Sequence, residues 1–456
     1  MKKTVVINVV GLTRKLIGEH TPFLQNYIIN YKLNVIKPVF PAVTCSAQAT
    51  YITGKWPSEH GIVGNGWYFQ DLHEVKFWHQ SHKLVQSPTV WHWAMQQDPA
   101  FTCSYMFWWY NMYSGAHYSA TPRPQYWADG RKYPDIYTHP DTLRDELQDK
   151  LGTFPLFDFW GPKTSIKSSR WIADASIMAD EKYNPTLTFI YLPHLDYNMQ
   201  RYGNNFAKIS ADLKDIDHEI NKLVTYYQDQ NANIIILSEY GISDVHTPIA
   251  LNRIFRNHGL LKIRVENGLE LLDPGASKAF AVADHQVAHI YTNDMTMLNK
   301  VKKILEQMPG IAQVLDDTEK KTMNINHPRA GHLIAVAEAG HWFSYYYWND
   351  DAKAPDFARI VDIHKKPGYD PVEMFADPNI KFLTAKVIGK LIQKKLGFRM
   401  LMDIIPLDAT LIKGSHGAIP HTKDEWPVCI CAGNASDEII EPTQIYEIIK
   451  NSLLNN

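Results

Sequence analysis

Four side chains in this sequence combine a reactive type with a setting that could use it. Thr44 lies in FPAVTCSAQATYITGKWPSEHGIVGNGWYF, residues 40–69, where a proline-containing extended piece gives way to a segment that reads as a helix over 46–52. A hydroxyl at a helix N-terminus meets unpaired backbone N–H groups and the positive end of the helix dipole, which stabilise both an alkoxide and an attacked phosphate. The plainer role, and the commoner one for an arbitrary threonine, is an N-cap. Asp196 closes TFIYLPHLD after an apolar run, where an isolated carboxylate is usually a turn or cap residue. Glu239 follows a second apolar run in ILSEYGI, well placed for a metal but indistinguishable there from a surface glutamate. His416 sits among small residues in KGSHGAIP, by itself a loop histidine more often than a ligand.

Elements able to position these groups are legible around them. Thr4–Val10 is apolar and β-branched, and TPFLQNYIINYKL after it reads as a helix with Thr21 as its N-cap. Leu187–Leu192 and Ile234–Leu237 are continuous apolar runs, as in strands buried on both faces, and Phe206–Tyr227 between them alternates near the helical period. Strand, helix, strand predicts an α/β fold with a mostly parallel central sheet flanked by helices. Reactive groups in such sheets gather at the carboxyl edge of the strands, and the four side chains are expected there.

The expected organisation is an α/β core over residues 1–245, a small α+β insertion over 246–330, and a return to the core over 331–456 with an irregular excursion at 340–378. The insertion is built around HIYTNDMTMLNKVKKILEQMPGIAQVLD, which reads as strand, helix and strand, and Leu333–Ala337 resumes the strand pattern of the core. Residues 100–140 hold a dense aromatic cluster that reads as a packed loop or lid. Trp109 and Tyr113 offer stacking surfaces for a flat organic group, unless the rings simply fill the core.

Composition narrows the classes. In 456 residues, 46 Lys and Arg against 48 Asp and Glu leave a net charge of −2, with no overall electrostatic footprint for nucleic acid or an anionic membrane. No apolar run is long enough for a membrane span, and the interrupted apolar stretch Val5–Leu12 reads as a first strand rather than a signal peptide. Four cysteines, with Cys429 and Cys431 two apart in one apolar run, argue against a disulfide scaffold and for a cytoplasmic protein.

Taken in order, the four motifs resemble the alkaline phosphatase superfamily, and more closely its type I phosphodiesterase/nucleotide pyrophosphatase family. The spacing from Thr44 to Gly54, Pro57 and His60-Gly61-Ile62 is similar to that family's nucleophile motif, with Asn65 following. Asp196, Glu239-Tyr240-Gly241 and His416-Gly417 fall in the places of its later motifs. The resemblance implies hydrolysis of a phosphodiester or phosphoanhydride through a Thr44 phospho-intermediate, with two zinc ions about 4 Å apart activating the nucleophile and water. It implies a small phosphate ester or nucleotide as substrate and no nucleic-acid polymer; the oligomeric state stays open.

The sequence departs from the pattern at named positions. Val10 stands where the family has a metal-binding Asp, with Asn8 two residues earlier on the same strand face; Gln200 replaces a His, and Glu239-Tyr240 replaces Asp-His. The family's oxyanion-contacting Asn falls at Ala47, next to Gln48. The implied metal set is therefore Asp196, Glu239, His416, Asn8 and Gln200, with His285 the first choice for a recruited donor and Asp284 the second. Zinc is implied by resemblance, and magnesium or manganese by the oxygen donors. Asn65, Gln48, Lys132, Trp109 and Tyr113 are the candidates for substrate contact. Two alternatives stay open: a catalytically decayed member that binds ligands, and a sulfo- or phosphonate-ester hydrolase or phosphoryl transferase on the same scaffold.

Overall fold

The computed structural model describes residues 1–128, 131–433 and 438–454. Its main sheet, among the described residues, runs in the order Glu438–Ile440, Lys32–Ile36, Val428–Cys431, Asn233–Leu237, Thr4–Val9, Leu187–Leu192, Cys103–Met106, Tyr118–Pro122 and Ile136–His139. The centre is parallel: Thr4–Val9 pairs with Leu187–Leu192 on one side and Asn233–Leu237 on the other. Antiparallel pairings flank it, Val428–Cys431 against Asn233–Leu237 and Ile136–His139 against Tyr118–Pro122. The sheet is thus mixed but mostly parallel as expected, the edge strand Glu438–Ile440 also running parallel to Lys32–Ile36.

Thr4–Val9 and Leu187–Leu192 are buried at every position, because helices cover the sheet. Ile166–Tyr183, His194–Tyr202, Phe206–Gln228 and Pro22–Asn30 form one packed group; Thr44–Thr53, Val90–Gln97 and Gln444–Leu454 form another. In Phe206–Gln228 the buried Ile209, Leu213, Ile216, Ile220, Leu223 and Tyr227 recur at three- and four-residue spacing and make one apolar stripe. Asp217 from that helix accepts hydrogen bonds from the Phe23 and Leu24 amides at 2.8 and 3.0 Å, capping Pro22–Asn30. Thr21, expected as that cap, instead bonds the loop before it, donating to Leu16 O and accepting from Gly18 N. The cap therefore comes from a carboxylate distant in sequence.

A second, four-stranded antiparallel sheet joins Ala279–Asp284, Val287–Thr292, Leu333–Ala337 and Ile311–Leu315 in that order. Leu333–Ala337 pairs with Val287–Thr292 and so belongs here rather than to a return to the core. An apolar run reports burial but not which sheet buries it. The aromatic segment also differs from a lid. Cys103–Met106, Tyr118–Pro122 and Ile136–His139 are strands of the main sheet, and Tyr105, Phe107 and Trp108 are core residues. All four cysteines are buried free thiols.

Candidate active site

The register of the parallel strands sets the site. Asn8 lies opposite Tyr191 and Leu237, so Glu239, two residues past Leu237, comes level with the end of the first strand. Asn8 donates from Nδ2 to Glu239 Oε1 at 2.5 Å, and Gln48 Nε2 donates to the same oxygen at 2.5 Å. Gln48 in turn accepts the Trp109 amide at 2.7 Å. Burial raises the Glu239 carboxyl to about 8; the amides of Gln48 and Asn8 and the Thr44 hydroxyl only partly offset it.

Thr44 is the first residue of the helix Thr44–Thr53. Its side chain is not a cap, so the plainer reading for a threonine at this position does not describe it. The Tyr240 phenol oxygen lies 3.2 Å from the Thr44 hydroxyl and donates to Asp196 Oδ1 at 3.3 Å. Gln200 Nε2 donates to the other Asp196 oxygen at 2.8 Å, and Tyr369 donates to Gln200 Oε1 at 3.0 Å. Burial lifts Asp196 to about 7, against the lowering effect of Gln200 and Tyr240.

His416 donates from Nδ1 to Ala42 O at 2.7 Å, which leaves Nε2 4.0 Å from Asp196 Oδ1. Its ring stacks on Tyr240, centroids 3.6 Å apart, and packs against His285 at 3.5 Å on its other side. His285 stacks in turn on Tyr369 at 3.7 Å. Four rings thus form one column, and the phenols at its two ends reach Asp196, directly from Tyr240 and through Gln200 from Tyr369. Burial holds both imidazoles neutral, His416 down at about 3 and His285 well below its ordinary range.

The second sheet delivers His285. Asp284 pairs with Val287, so His285 and Gln286 are the tip of a two-residue hairpin, with His285 at φ 62°. Asp284 on the same hairpin accepts Asn65 N at 2.8 Å and Asn65 Nδ2 at 3.0 Å. Asn65 Oδ1 accepts the Cys45 amide at 3.1 Å, so a core helix is tied to the second sheet beside Thr44. Phe107, Tyr110 and Tyr113 all take positive φ just beyond the strand Cys103–Met106. Such left-handed non-glycine positions concentrate at functional sites.

Thr44, Asp196, Glu239, His416, His285, Asn8, Gln200 and Gln48 are thus gathered in one cluster, His416 and His285 joining it by ring stacking. Asn65 is alongside, with its amide group taken up by Asp284 and Cys45. Trp109 contributes its backbone amide and packs its ring against Trp78 at 4.8 Å. Tyr113 is exposed and meets Tyr137, and Lys132 lies over the Tyr126 ring at 5.3 Å; neither joins the cluster. Tyr240 and Tyr369 organise the centre, although the sequence shows Tyr240 only as a departure from a motif and Tyr369 not at all. Buried Lys366, from the same stretch as Tyr369, pairs with Asp370 and Glu373, each at 2.7 Å.

The cluster does not fit a zinc pair. Among the described residues no three His, Cys, Asp or Glu side chains converge as a metal site needs. Gln200 spends its carbonyl on Tyr369 and its amide on Asp196, and the Tyr240 phenol bridges Thr44 and Asp196. Glu239 Oε2 and His416 Nε2 are both buried without a partner.

A mixed, largely parallel sheet between helix groups, with a threonine at a helix start facing Asp, Glu and His from later strand ends, defines an alkaline-phosphatase-like α/β protein. Residues 4–370 match the family model for type I phosphodiesterase / nucleotide pyrophosphatase, and the chain belongs to that family. It is 26% identical over 278 residues to ectonucleotide pyrophosphatase/phosphodiesterase 1 of Saccharomyces cerevisiae, covering 54% of this chain and 34% of that protein. A Schizosaccharomyces pombe pyrophosphatase/phosphodiesterase is 23% identical over 234 residues, 49% of this chain and 40% of that protein. The chain therefore spans well under two thirds of the length of these relatives. Among solved structures, murine ectonucleotide pyrophosphatase / phosphodiesterase 5, as an inactive variant with AMP, superposes with TM-score 0.61 at 14% identity, covering 100% of this chain and 96% of that one. Phosphonoacetate hydrolase from Sinorhizobium meliloti with phosphonoformate gives 0.62 at 13% identity, covering 99% and 96%. At these identities the likeness is one of fold.

Proposed function

We propose that the chain binds a small phosphate ester or anhydride, a nucleotide among the candidates, and cleaves it with Thr44 as nucleophile in a site built from hydrogen bonds rather than a zinc pair. The observation that carries this reading is the chain of contacts from Thr44 through the Tyr240 phenol to Asp196. As the Thr44 oxygen bonds to phosphorus, its proton passes to Tyr240 while the Tyr240 proton passes to Asp196, and the bond from phosphorus to the leaving oxygen breaks. The leaving oxygen departs on the side of phosphorus opposite Thr44 and takes its proton from solvent, while Glu239, neutral below about pH 8 and beside Thr44, donates a hydrogen bond to a non-bridging phosphate oxygen. Water then attacks the phosphorus of the Thr44 ester, losing a proton to solvent, as the bond from phosphorus to the Thr44 oxygen breaks; that oxygen recovers its proton from Tyr240, and Tyr240 recovers its own from Asp196. The raised Glu239 value serves binding as well: a neutral side chain there does not repel an incoming phosphate as a second carboxylate beside Asp196 would.

A second reading, ligand binding without turnover, is favoured by one observation: Thr44 is only 4% exposed, its hydroxyl already engaged by Tyr240. Two measurements separate them, hydrolysis of bis-(4-nitrophenyl) phosphate and calorimetric binding of AMP and phosphonoformate, both in chelator. Hydrolysis that Thr44→Ala reduces by more than about tenfold supports the first reading. Binding without hydrolysis supports the second. Hydrolysis unaffected by Thr44→Ala would defeat the nucleophile assignment.

A further inference from the structure

Beyond residue 370, where the family match ends, the chain makes an excursion that the site does not use. It leaves and returns at one point, Asp377 N donating to Ile404 O at 2.7 Å. Between them lies the helix Leu383–Lys395, which has no buried residue. Residues 378–402 contain Lys381, Lys386, Lys390, Lys394, Lys395 and Arg399 and no Asp or Glu, in a chain whose overall net charge is −2. The balanced total thus conceals a strongly basic segment.

The helix is mounted with its apolar side outward. Lys386 and Lys390 turn to Asp403 at 2.9 and 3.1 Å, and Lys394 reaches Lys132 O at 3.3 Å and lies over the Tyr133 ring. These contacts fix which side faces the protein. Ile388, Leu391, Ile392 and Leu396 project the other way, 50–69% exposed, flanked by Phe382 at 78% and Phe398 at 63%. Lys381, Lys395 and Arg399 are exposed around them. An apolar helix face with cations at its margin is the composition of a helix that lies in a membrane interface, where the apolar side chains enter the acyl boundary and the cations meet anionic headgroups.

We infer that the segment 377–404 docks this protein on an anionic lipid surface, the helix Leu383–Lys395 lying in the plane of the interface. The helix is too short and too charged to span a bilayer, and no described helix is long and apolar enough to cross one. Charge selects this occupant over a second copy of the chain: pairing two such faces would set Lys381, Lys395 and Arg399 against their own copies, whereas an anionic leaflet neutralises them.

The test is co-sedimentation of the full chain with extruded vesicles of phosphatidylcholine alone or with one third phosphatidylserine. The expected result is binding to the anionic vesicles, weakening as salt is raised, and reduced at least about tenfold by Leu391→Glu with Ile392→Glu. Both positions are exposed, so the variant's circular dichroism should match the parent's. Lys381→Gln with Lys395→Gln should lower the preference for anionic vesicles while leaving the apolar face intact. No binding, equal binding to both vesicle types, or a dimer that Leu391→Glu dissociates would overturn the inference.

Discussion

The Tyr240 and His416 rings lie 3.6 Å apart and 9° from parallel, which fixes the Tyr240 phenol between Thr44 and Asp196. His416 is itself anchored through Nδ1 to Ala42 O, two residues before Thr44. A histidine whose family counterpart is read as a metal ligand therefore acts in this chain as a platform for a tyrosine. That relationship gives the first of four expectations.

Tyr240→Phe keeps the stacked ring and removes the hydroxyl. Asp196 and Thr44 each lose a partner, and the cost in unfolding free energy should be about 1–3 kcal/mol for the unpaired polar groups left in a buried setting. Tyr240→Ala removes the ring as well and should cost about 3–5 kcal/mol. Urea denaturation of the two variants would check the order; a phenylalanine variant as unstable as the alanine one would deny the phenol its role.

Stability should depend on pH through the buried carboxyls. Asp196 at about 7, Asp284 at about 7 and Glu239 at about 8 bind their protons more tightly in the folded protein than in the unfolded chain. Their contribution is complete below about pH 4 and is lost as pH rises through about 7 to 8. His416 runs the other way: with its value pushed down to about 3, its contribution is present above about pH 6.5 and is lost as pH falls toward 3. Asp196→Asn cannot titrate, so its stability relative to the parent should climb by on the order of 1–3 kcal/mol between about pH 4 and 8. A pH-independent difference in chemical denaturation would contradict this.

Protein purified without chelator should contain well under one equivalent of zinc, because no three strong zinc donors converge among the described residues. Gln200→His combined with Tyr240→His adds two imidazoles beside Asp196 and frees the space of the phenol, and should raise bound zinc toward one equivalent. Elemental analysis of parent and double variant decides the point; stoichiometric zinc in the parent would show that ligands are recruited from elsewhere.

His285 fills the column between His416 and Tyr369, yet its backbone sits in the left-handed region at φ 62°. His285→Ala should lose the stacking and keep the strain. His285→Gly loses the stacking but accepts the backbone, so it should be more stable than the alanine variant by about 1 kcal/mol despite its smaller side chain. Thermal denaturation in which alanine is the more stable of the two would refute the account.

The sequence by itself determined the α/β class and the family. Apolar runs such as Leu187–Leu192 and Ile234–Leu237 can be stable only as covered strands, and the spacing from Thr44 to His60 is a local property that needs no fold to be seen. It also marked Val10, Gln200 and Tyr240 as departures, since identity at a position is all such a reading requires. Only the tertiary structure decided what those departures do. Tyr240 and Asp196 are 44 positions apart, and Gln200 and Tyr369 are separated by 169; whether a phenol reaches a carboxylate depends on strand register and on the angle at which a hairpin tip arrives. The same holds for Leu333–Ala337, assigned to its sheet by pairing alone. It holds too for the helix Leu383–Lys395: its pattern shows two faces, but contacts with Asp403 and Lys132 decide that the apolar one looks outward. Periodicity records which residues share a surface, and the direction that surface faces is set by partners far away in the chain.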